Sequence, residues 1–129
     1  KLPYDDNSFN LILDITSSNS LNEQEREVYL KEVNRVLTND GAFIVRALCK
    51  DGDKNAKNLL KMSPGKEYDT YILPKVELVE RVFSEQDFRK MYGQYFKIKK
   101  LEKTTHYTRF DKQPYKRNYL IAYMFKKSD

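Results

Sequence analysis

The fold is decided by residues 9–49, which read FNLILDITSSNSLNEQEREVYLKEVNRVLTNDGAFIVRALC. This stretch opens with a nearly continuous apolar run over residues 9–15. Such runs are typical of parallel strands that helices cover on both faces. Five small polar residues, numbered 16–20, follow the run. Because ligands bind beyond the carboxyl ends of strands in open α/β sheets, this polar segment is predicted to face a ligand.

A helix and a second strand follow the polar segment. Asn22 and Glu25 have the spacing of a capping box, which predicts that the helix begins just after Asn22. Gly41 is expected to end the helix in the left-handed conformation, and residues 42–49 form a second apolar strand. Strand, helix, glycine turn and strand together predict a βαβ unit. The apolar face of the helix is predicted to contain Val28, Leu30, Val33, Val36 and Leu37.

Residues 50–83 predict less regular structure. A short helix is expected at residues 56–60, and an extended run at residues 76–83. The region around residues 68–71 is interpreted either as a mobile lid over a binding site or as an ordinary insertion.

The C-terminal part predicts a helix followed by two strands. Ser84 is expected to cap the helix. The two strands, residues 95–101 and 118–125, are predicted to pair antiparallel at the end of the sheet. The loop that joins them contains His106 and Pro114.

The composition limits the classes of protein to which the chain can belong. It has 129 residues, of which 40% are hydrophobic and 33% charged, as expected of one globular domain. Every apolar run is shorter than the ~18 residues of a membrane span, and the N-terminus lacks a secretory pattern. We therefore expect a cytoplasmic protein without a membrane partner. The single Cys49 excludes an internal disulfide and a cysteine zinc cluster, so no metal site is expected.

Positive charge is concentrated in the C-terminal third. Residues 1–88 contain 12 basic and 16 acidic side chains, whereas residues 89–129 contain 12 basic and 3 acidic ones. Such an excess is typical of proteins that bind an anionic partner, and it also occurs on solvated lysine faces. Both interpretations stay open for the lysines of the predicted terminal strands, which are Lys97, Lys99, Lys100 and Lys103.

Residues 2–46 resemble the second half of the class I S-adenosylmethionine-dependent methyltransferases. In that family a Leu-Pro-aromatic stretch followed by acidic and Asn or Ser residues opens the fourth strand, as LPYDDNSF does here. A helix with a Leu-x-Glu-x-x-Arg-x-Leu core then leads to the fifth strand. Asn10 departs from the family's Asp, and Asn39-Asp40 departs from its Pro-Gly. The core residues of the helix here are Leu30, Glu32, Arg35 and Leu37.

The resemblance implies a fold and an activity. The fold class is α/β, a partial Rossmann-like sheet of the family's strands four to seven, with the last strand antiparallel and helices on its flanks. Residues 1–129 would form the C-terminal part of a single methyltransferase domain. The family's glycine-rich cofactor loop and ribose-binding acidic residue precede its fourth strand, and no GxGxxG pattern occurs in this chain. We therefore expect a fragment, inactive alone, because most of the S-adenosylmethionine site would lie upstream of Lys1. Its parent protein would transfer a methyl group to an unidentified acceptor.

The resemblance also implies site residues at the end of the first strand. Asp14, Ile15 and Thr16 correspond to positions that face the methyl donor, and they are assigned to the cofactor. The hydroxyl groups of Ser17 and Ser18 are assigned to the acceptor. Asp14 is in addition a candidate for catalysis, and its alternative role is that of a structural loop carboxylate.

His106 is the second candidate for catalysis. It is the only histidine, and imidazole titrates near neutral pH, so it could act as a general base. A solvated loop histidine is the alternative. Nearby, Tyr107, Arg109 and Tyr115 supply aromatic and cationic groups that would bind an anionic acceptor, or would pack on the terminal strands.

Two expectations concern partners. The alternative function is a non-catalytic basic module that binds RNA or another polyanion through the C-terminal third. If strands are missing upstream, the outer edge of the first strand is unpaired, and the isolated chain is expected to self-associate.

Overall fold

The computed structural model describes residues 2–110 and 113–127. Within them, four strands form the main sheet in the order β1-β2-β6-β5, and β3 pairs separately with β4. The chain is therefore an α/β protein, as predicted. The elements are β1 Phe9–Ile15, α1 Glu23–Val36, β2 Leu37–Leu48, α2 Lys54–Met62, β3 Thr70–Leu73, β4 Leu78–Arg81, α3 Glu85–Tyr92, β5 Phe96–Phe110 and β6 Gln113–Lys126.

The main sheet is mixed. β1 and β2 run parallel and flank the crossover helix α1 in sequence, as the βαβ prediction requires. β6 lies between β2 and β5 and runs antiparallel to both. The predicted antiparallel pairing of the last two strands is thus confirmed. Since β6 is antiparallel, its amino-terminal half lies at the edge where β1 and β2 end.

The core lies on one face of the sheet, under α1 and α3. Alternate residues of β2 and β6 point to this face, as the period of two requires. Aromatic rings fill the space between them: Phe43 lies 5.0 Å from Phe96, and Phe88 stacks on Tyr92 at 4.0 Å. The other residues of this core include Leu30, Val33, Leu37, Val45, Ala47, Cys49, Phe83, Leu120, Ala122 and Met124.

The opposite face is covered only at one end. There, α2 and the β3–β4 hairpin pack on Leu48 and Tyr119, which lie opposite each other on β2 and β6. The rest of this face is open, and Leu11, Leu13 and Ile15 of β1 are 51%, 59% and 49% exposed on it. The prediction that β1 is covered on both faces is therefore wrong for the described residues, because both core helices pack on the same side of the sheet.

The capping box of α1 is confirmed, and the predicted end and face of that helix are corrected. The Glu25 N–H donates to Asn22 Oδ1 at 2.7 Å, and the Asn22 N–H donates to Glu25 Oε1 at 2.9 Å. Gly41 does not end α1: the helix stops at Val36, and Gly41 lies within β2, where the register with β1 shifts. A Cβ at Gly41 would lie 2.7 Å from Thr38 Oγ1, so close packing is what favours glycine there.

The side chain of Val28 is 52% exposed, although the sequence predicted it in the apolar face of α1. Arg26 is buried instead, at 1% exposure. The positions 26, 30 and 33 lie on one helical stripe, and position 28 lies outside it. A polar residue thus occupies a position that the hydrophobic pattern alone could not assign to the interior.

Two predicted elements, one loop and one short helix, are longer or more regular in the structure. His106 and Pro114 lie in strands β5 and β6, not in a loop, because the two strands pair from Phe96 to Phe110. The expected helix at residues 56–60 extends over the nine residues of α2.

None of the described helices is long and apolar enough to cross a membrane.

Candidate functional site

The loop after β1 is held by a buried carboxylate. Asp14 is 1% exposed and accepts five hydrogen bonds. Four come from the backbone N–H groups and hydroxyls of Ser17 and Ser18, at 2.5–3.2 Å. The fifth comes from the Tyr29 hydroxyl at 2.8 Å. Burial and the nearby Asp14 charge raise the pKa of Tyr29, so this phenol remains a proton donor to the carboxylate.

A buried arginine fixes the far side of the same loop. Arg26 donates from one guanidinium nitrogen to the carbonyl oxygens of Ser18 and Leu21, at 2.9 and 3.3 Å. Its other terminal nitrogen lies 3.4 Å from the Tyr92 hydroxyl. The loop is therefore tied to α1 through Tyr29 and Arg26, and to α3 through Tyr92. Thr16 has a left-handed backbone, with φ of 58°, which is uncommon for a β-branched residue and strains the loop locally.

A second buried polar cluster lies across the edge of the sheet, and Arg117 of β6 is at its centre. Arg117 Nε lies 3.1 Å from Asp53 Oδ2, and the two side chains are 6% and 1% exposed. Its Nη2 donates to the Tyr71 hydroxyl at 2.9 Å, and that hydroxyl donates to Glu80 Oε1 at 2.8 Å. Burial raises the pKa of Tyr71. The chain of hydrogen bonds thus runs from α2, through β6 and β3, to β4.

Asp53 also determines where α2 begins. Its Oδ1 accepts the N–H of Ala56 at 2.8 Å, and its Oδ2 accepts the N–H of Asn118 at 2.6 Å. An aspartate at the N-cap satisfies a helix donor that would otherwise lack a partner. One carboxylate therefore caps α2 and fastens it to β6.

Between the two clusters lies a cavity of about 650 Å³. It is bounded by the loop after β1, by α2, by the β3–β4 hairpin and by the ends of β5 and β6. Most of its wall is apolar, and Leu48, Leu59 and Leu73 contribute to it. The polar residues of the wall are Thr16, Asn19, Asn55, Asn58, Lys75, Glu80, Thr108, Tyr115, Arg117 and Tyr119.

The structure brings some of the residues assigned from sequence to this cavity. Thr16 and Tyr115 both line it. The hydroxyls of Ser17 and Ser18 donate to Asp14, next to the cavity wall that Thr16 forms. The side chain of Ile15 lies on the open face of the sheet instead.

The remaining assigned residues lie on the hairpin of β5 and β6, away from the wall. Tyr107 is 67% exposed, and Arg109 is exposed as well. His106 is exposed, and its ring lies 6.4 Å from that of Tyr119 in an edge-to-face arrangement. Among the described residues, no carboxylate is hydrogen-bonded to His106, so nothing in this arrangement orients it as a base.

Sequence reasoning missed Glu80 and Asp53. The signal for Asp53 was its place three residues before Ala56, at the start of a helical pattern. Glu80 carried no local signal, because its partner Tyr71 lies on the neighbouring strand of a hairpin that was not predicted. Tyr71 itself was included only in a segment interpreted as a lid or an insertion.

The sequence matches no family model and no curated protein. The fold, in contrast, matches solved structures over nearly the whole chain. A SAM-dependent methyltransferase from Methanosarcina mazei superposes with a TM-score of 0.78 and 19% identity, over 98% of this chain and 64% of that one. The PH0226 protein from Pyrococcus horikoshii OT3 gives a TM-score of 0.70 and 21% identity, over 98% and 56%.

A third structure contains bound ligands. The 1,6-didemethyltoxoflavin-N1-methyltransferase of Burkholderia thailandensis, solved with 1,6-didemethyltoxoflavin and S-adenosylhomocysteine, gives a TM-score of 0.66 and 17% identity. The match covers 97% of this chain and 47% of that one. The chain thus spans about half to two thirds of the length of these proteins. Its fold is that of SAM-dependent methyltransferases.

Proposed function

We propose that this chain forms the acceptor-facing part of an S-adenosylmethionine-dependent methyltransferase. The observation that supports this most is the sheet order β1-β2-β6-β5, in which one antiparallel strand is inserted beside parallel ones. In this proposal the strands β1, β2, β5 and β6 correspond to the family's strands four to seven. The cavity at the carboxyl ends of β1 and β2 then has the position expected of a ligand site in an open α/β sheet.

The described residues do not form a complete cradle for S-adenosylmethionine. Asp14, the acidic residue at the end of β1, has its carboxylate occupied by five donors from within the chain. The loop after β1 contains no glycine that would let a ligand approach the backbone closely. We therefore propose that most of the cofactor's site is contributed by polypeptide outside this sequence, and that the 129-residue chain alone is inactive.

The residues of this chain would then act by positioning. Asp14 holds the loop that presents Thr16 to the cavity, and we assign it this role in place of direct contact with the cofactor. Methyl transfer depends mainly on the alignment of donor and acceptor, so a rigid loop at this edge is what the reaction requires. The cytoplasmic location is part of the same proposal.

Calorimetry with S-adenosylhomocysteine tests this proposal. We expect no tight binding to the 129-residue chain. The reading frame upstream of Lys1 is expected to encode a strand followed by a glycine-rich turn, and the protein extended by that segment is expected to bind the ligand with micromolar affinity. Micromolar binding to the 129-residue chain alone would refute the fragment interpretation. An extended protein that binds no S-adenosylhomocysteine would refute the methyltransferase assignment.

No feature of residues 2–110 and 113–127 favours the alternative of a polyanion-binding module. The basic residues of β5 lie on an exposed edge strand, where Lys100 already pairs with Glu102 at 2.9 Å. Edge lysines are a common protection of sheets against unwanted pairing. Nucleic-acid binding therefore stays a prediction.

A further inference from the structure

The cavity has the size and lining of a small-molecule site. Its volume of about 650 Å³ lies inside the range of roughly 300–1,000 Å³ that is typical of such sites. Leu48 and Leu59 line it, and Tyr119 adds an aromatic ring. Met62 and Val76 also belong to the lining, and they are 82% and 66% exposed, so they lie where the cavity opens. A mainly apolar wall of this size suits a compact aromatic molecule better than a charged polymer.

One polar group in the wall is held in a fixed orientation. The Tyr71 hydroxyl donates to Glu80 Oε1 at 2.8 Å, and Tyr71 is in turn held by Arg117 at 2.9 Å. Tyr71 is fully buried, so this support is shielded from water. Oε2 of Glu80 is not the oxygen that Tyr71 binds, and Glu80 is a half-buried residue of the cavity wall. That oxygen is therefore an acceptor for a ligand.

The two cationic side chains of the cavity wall already have partners. Arg117 is paired with the buried Asp53, at 3.1 Å. Lys75, the other cationic residue of the wall, also has a partner. An anionic ligand would meet Glu80 without a free cation to offset the repulsion, and its desolvation would be costly. A neutral ligand with a donor group fits this arrangement better.

Glu80 lies beside the loop that follows β1. The N–H of Arg81, the next residue, donates to the carbonyl oxygen of Asn19 at 2.9 Å. Asn19 and Thr16 belong to that loop, and both line the cavity. A group bound to Glu80 would therefore be held at the carboxyl edge of the sheet.

From these observations we infer that the cavity binds a small, neutral, largely aromatic molecule whose O–H or N–H group donates a hydrogen bond to Glu80. That this molecule is the methyl acceptor rests on the proposed function. The binding itself does not, because it requires only residues of this chain.

A matched pair of probes tests the inference on the full 129-residue chain. 2-Naphthol carries a hydroxyl donor, and 2-methoxynaphthalene has the same rings without it. A hydrogen bond to a charged acceptor predicts that 2-naphthol binds about tenfold more tightly or better, by fluorescence titration. In methyl-detected NMR spectra, both probes are expected to shift Leu48, Leu59 and Leu73, and to leave Leu30 and Val33 in the helix-covered core unchanged.

Two variants identify the acceptor group. Glu80→Gln is expected to reduce the preference for 2-naphthol to less than about threefold, and to leave the affinity for 2-methoxynaphthalene unchanged. Glu77→Gln, an exposed position in the turn of the same hairpin, is the matched control and should behave like the wild type. If Glu80→Gln fails to fold, the probe pair and the NMR map on the wild type still decide the question.

Several outcomes would overturn the inference. These are equal affinity for the two probes, shifts confined to Leu11 and Leu13 on the open face, or the same cavity shifts produced by an oligouridylate. None of these outcomes bears on the methyltransferase assignment, because no cofactor takes part. Conversely, an extended protein that fails to bind S-adenosylhomocysteine would not affect the naphthol result. It would contradict only the identification of the bound molecule as the methyl acceptor.

Discussion

The buried ion pair between Asp53 and Arg117 holds one wall of the cavity, and its removal should be measurable in the free energy of unfolding. The charged groups lie 3.1 Å apart, and both side chains are more than nine-tenths buried. The Asp53 carboxylate also accepts the N–H groups of Ala56 and Asn118. It therefore both neutralises the arginine and joins α2 to β6.

The substitution Asp53→Asn keeps the N-cap and removes both contacts of Oδ2, because an amide nitrogen cannot accept from Arg117 or from the Asn118 N–H. Asparagine is as good an N-cap as aspartate, so the start of α2 is kept. The negative charge is lost, and Arg117 becomes a buried cation without a counter-charge. Removing one partner of a buried pair costs about 3–5 kcal/mol, which is a large part of the ~5–15 kcal/mol that stabilises a typical domain. We expect Asp53→Asn to lower the free energy of unfolding by about that amount.

A double-mutant cycle shows whether the unpaired charge of Arg117 causes the loss of free energy of unfolding in Asp53→Asn. Arg117→Met removes the cation and keeps much of its apolar volume, so adding it to Asp53→Asn should recover at least half of the loss. Urea unfolding, followed by circular dichroism at fixed pH, gives the four free energies. Ser84→Ala is the matched control, because Ser84 caps α3 through the Asp87 N–H at 3.0 Å and carries no charge. Its expected cost is about 1 kcal/mol.

Either of two results would refute this reasoning. Asp53→Asn could cost no more than Ser84→Ala, which would mean that leaving Arg117 without its counter-charge destabilises the protein no more than the loss of a neutral cap does. Alternatively, the two substitutions at positions 53 and 117 could be additive, which would mean that the charges do not interact. In both cases the attraction between the two charges would contribute nothing measurable to the attachment of α2 to the sheet.

Hydrogen bonds from Arg35 and from the Leu2 N–H lower the pKa of Glu32 from 4.5 to about 2; the stability that its charged form contributes above pH 4.5 is therefore lost as the pH falls towards 2. Glu32→Gln should flatten the pH dependence of the urea midpoint in that window only. Leu13 is 59% exposed on the open face, so Leu13→Lys should increase the monomer fraction in analytical ultracentrifugation, whereas Val28→Lys, at 52% exposure on α1, should not. If the basic C-terminal third binds RNA, the affinity for an oligouridylate must fall steeply with salt, and absence of binding at low salt excludes that alternative.

The features that could be predicted from the sequence are those that depend on neighbouring residues. The capping box of Asn22 and Glu25 spans three residues, and its two hydrogen bonds form within one turn. The alternation between apolar strand and amphipathic helix is likewise local. For the same reason, the capping of α3 by Ser84 was predictable from its spacing to Asp87.

The features that could not be predicted depend on residues far apart in the chain. The outer halves of β5 and β6 are rich in polar residues, and they form strands because each supplies the other's backbone partners, as at His106 and Arg117. Arg26 is buried because the loop at Ser18 and Leu21 offers carbonyl oxygens to it. Neither effect leaves a periodic pattern in the sequence.

The candidate site likewise contains some features that could be predicted from the sequence and others that could not. The position of Asp14 at the end of a strand was predictable, whereas the hydroxyl of Tyr29 that binds it was not. The pairing of Asp53 with Arg117 joins residues 64 positions apart. Long-range polar pairs of this kind cannot be recognised without an alignment or a structure, and here one of them fastens α2 to β6 at the cavity wall.

The two buried clusters explain why few charged groups remain to select a ligand. The Asp14 carboxylate accepts hydrogen bonds from the loop and from Tyr29, and Arg117 forms an ion pair with Asp53. Both walls are thereby rigid before any ligand arrives, which lowers the cost of ordering the site on binding. Glu80 is then the charged side chain in the wall that retains an acceptor oxygen for a ligand. Changing Glu80 should therefore change which molecule binds, whereas breaking either cluster should change whether the cavity exists.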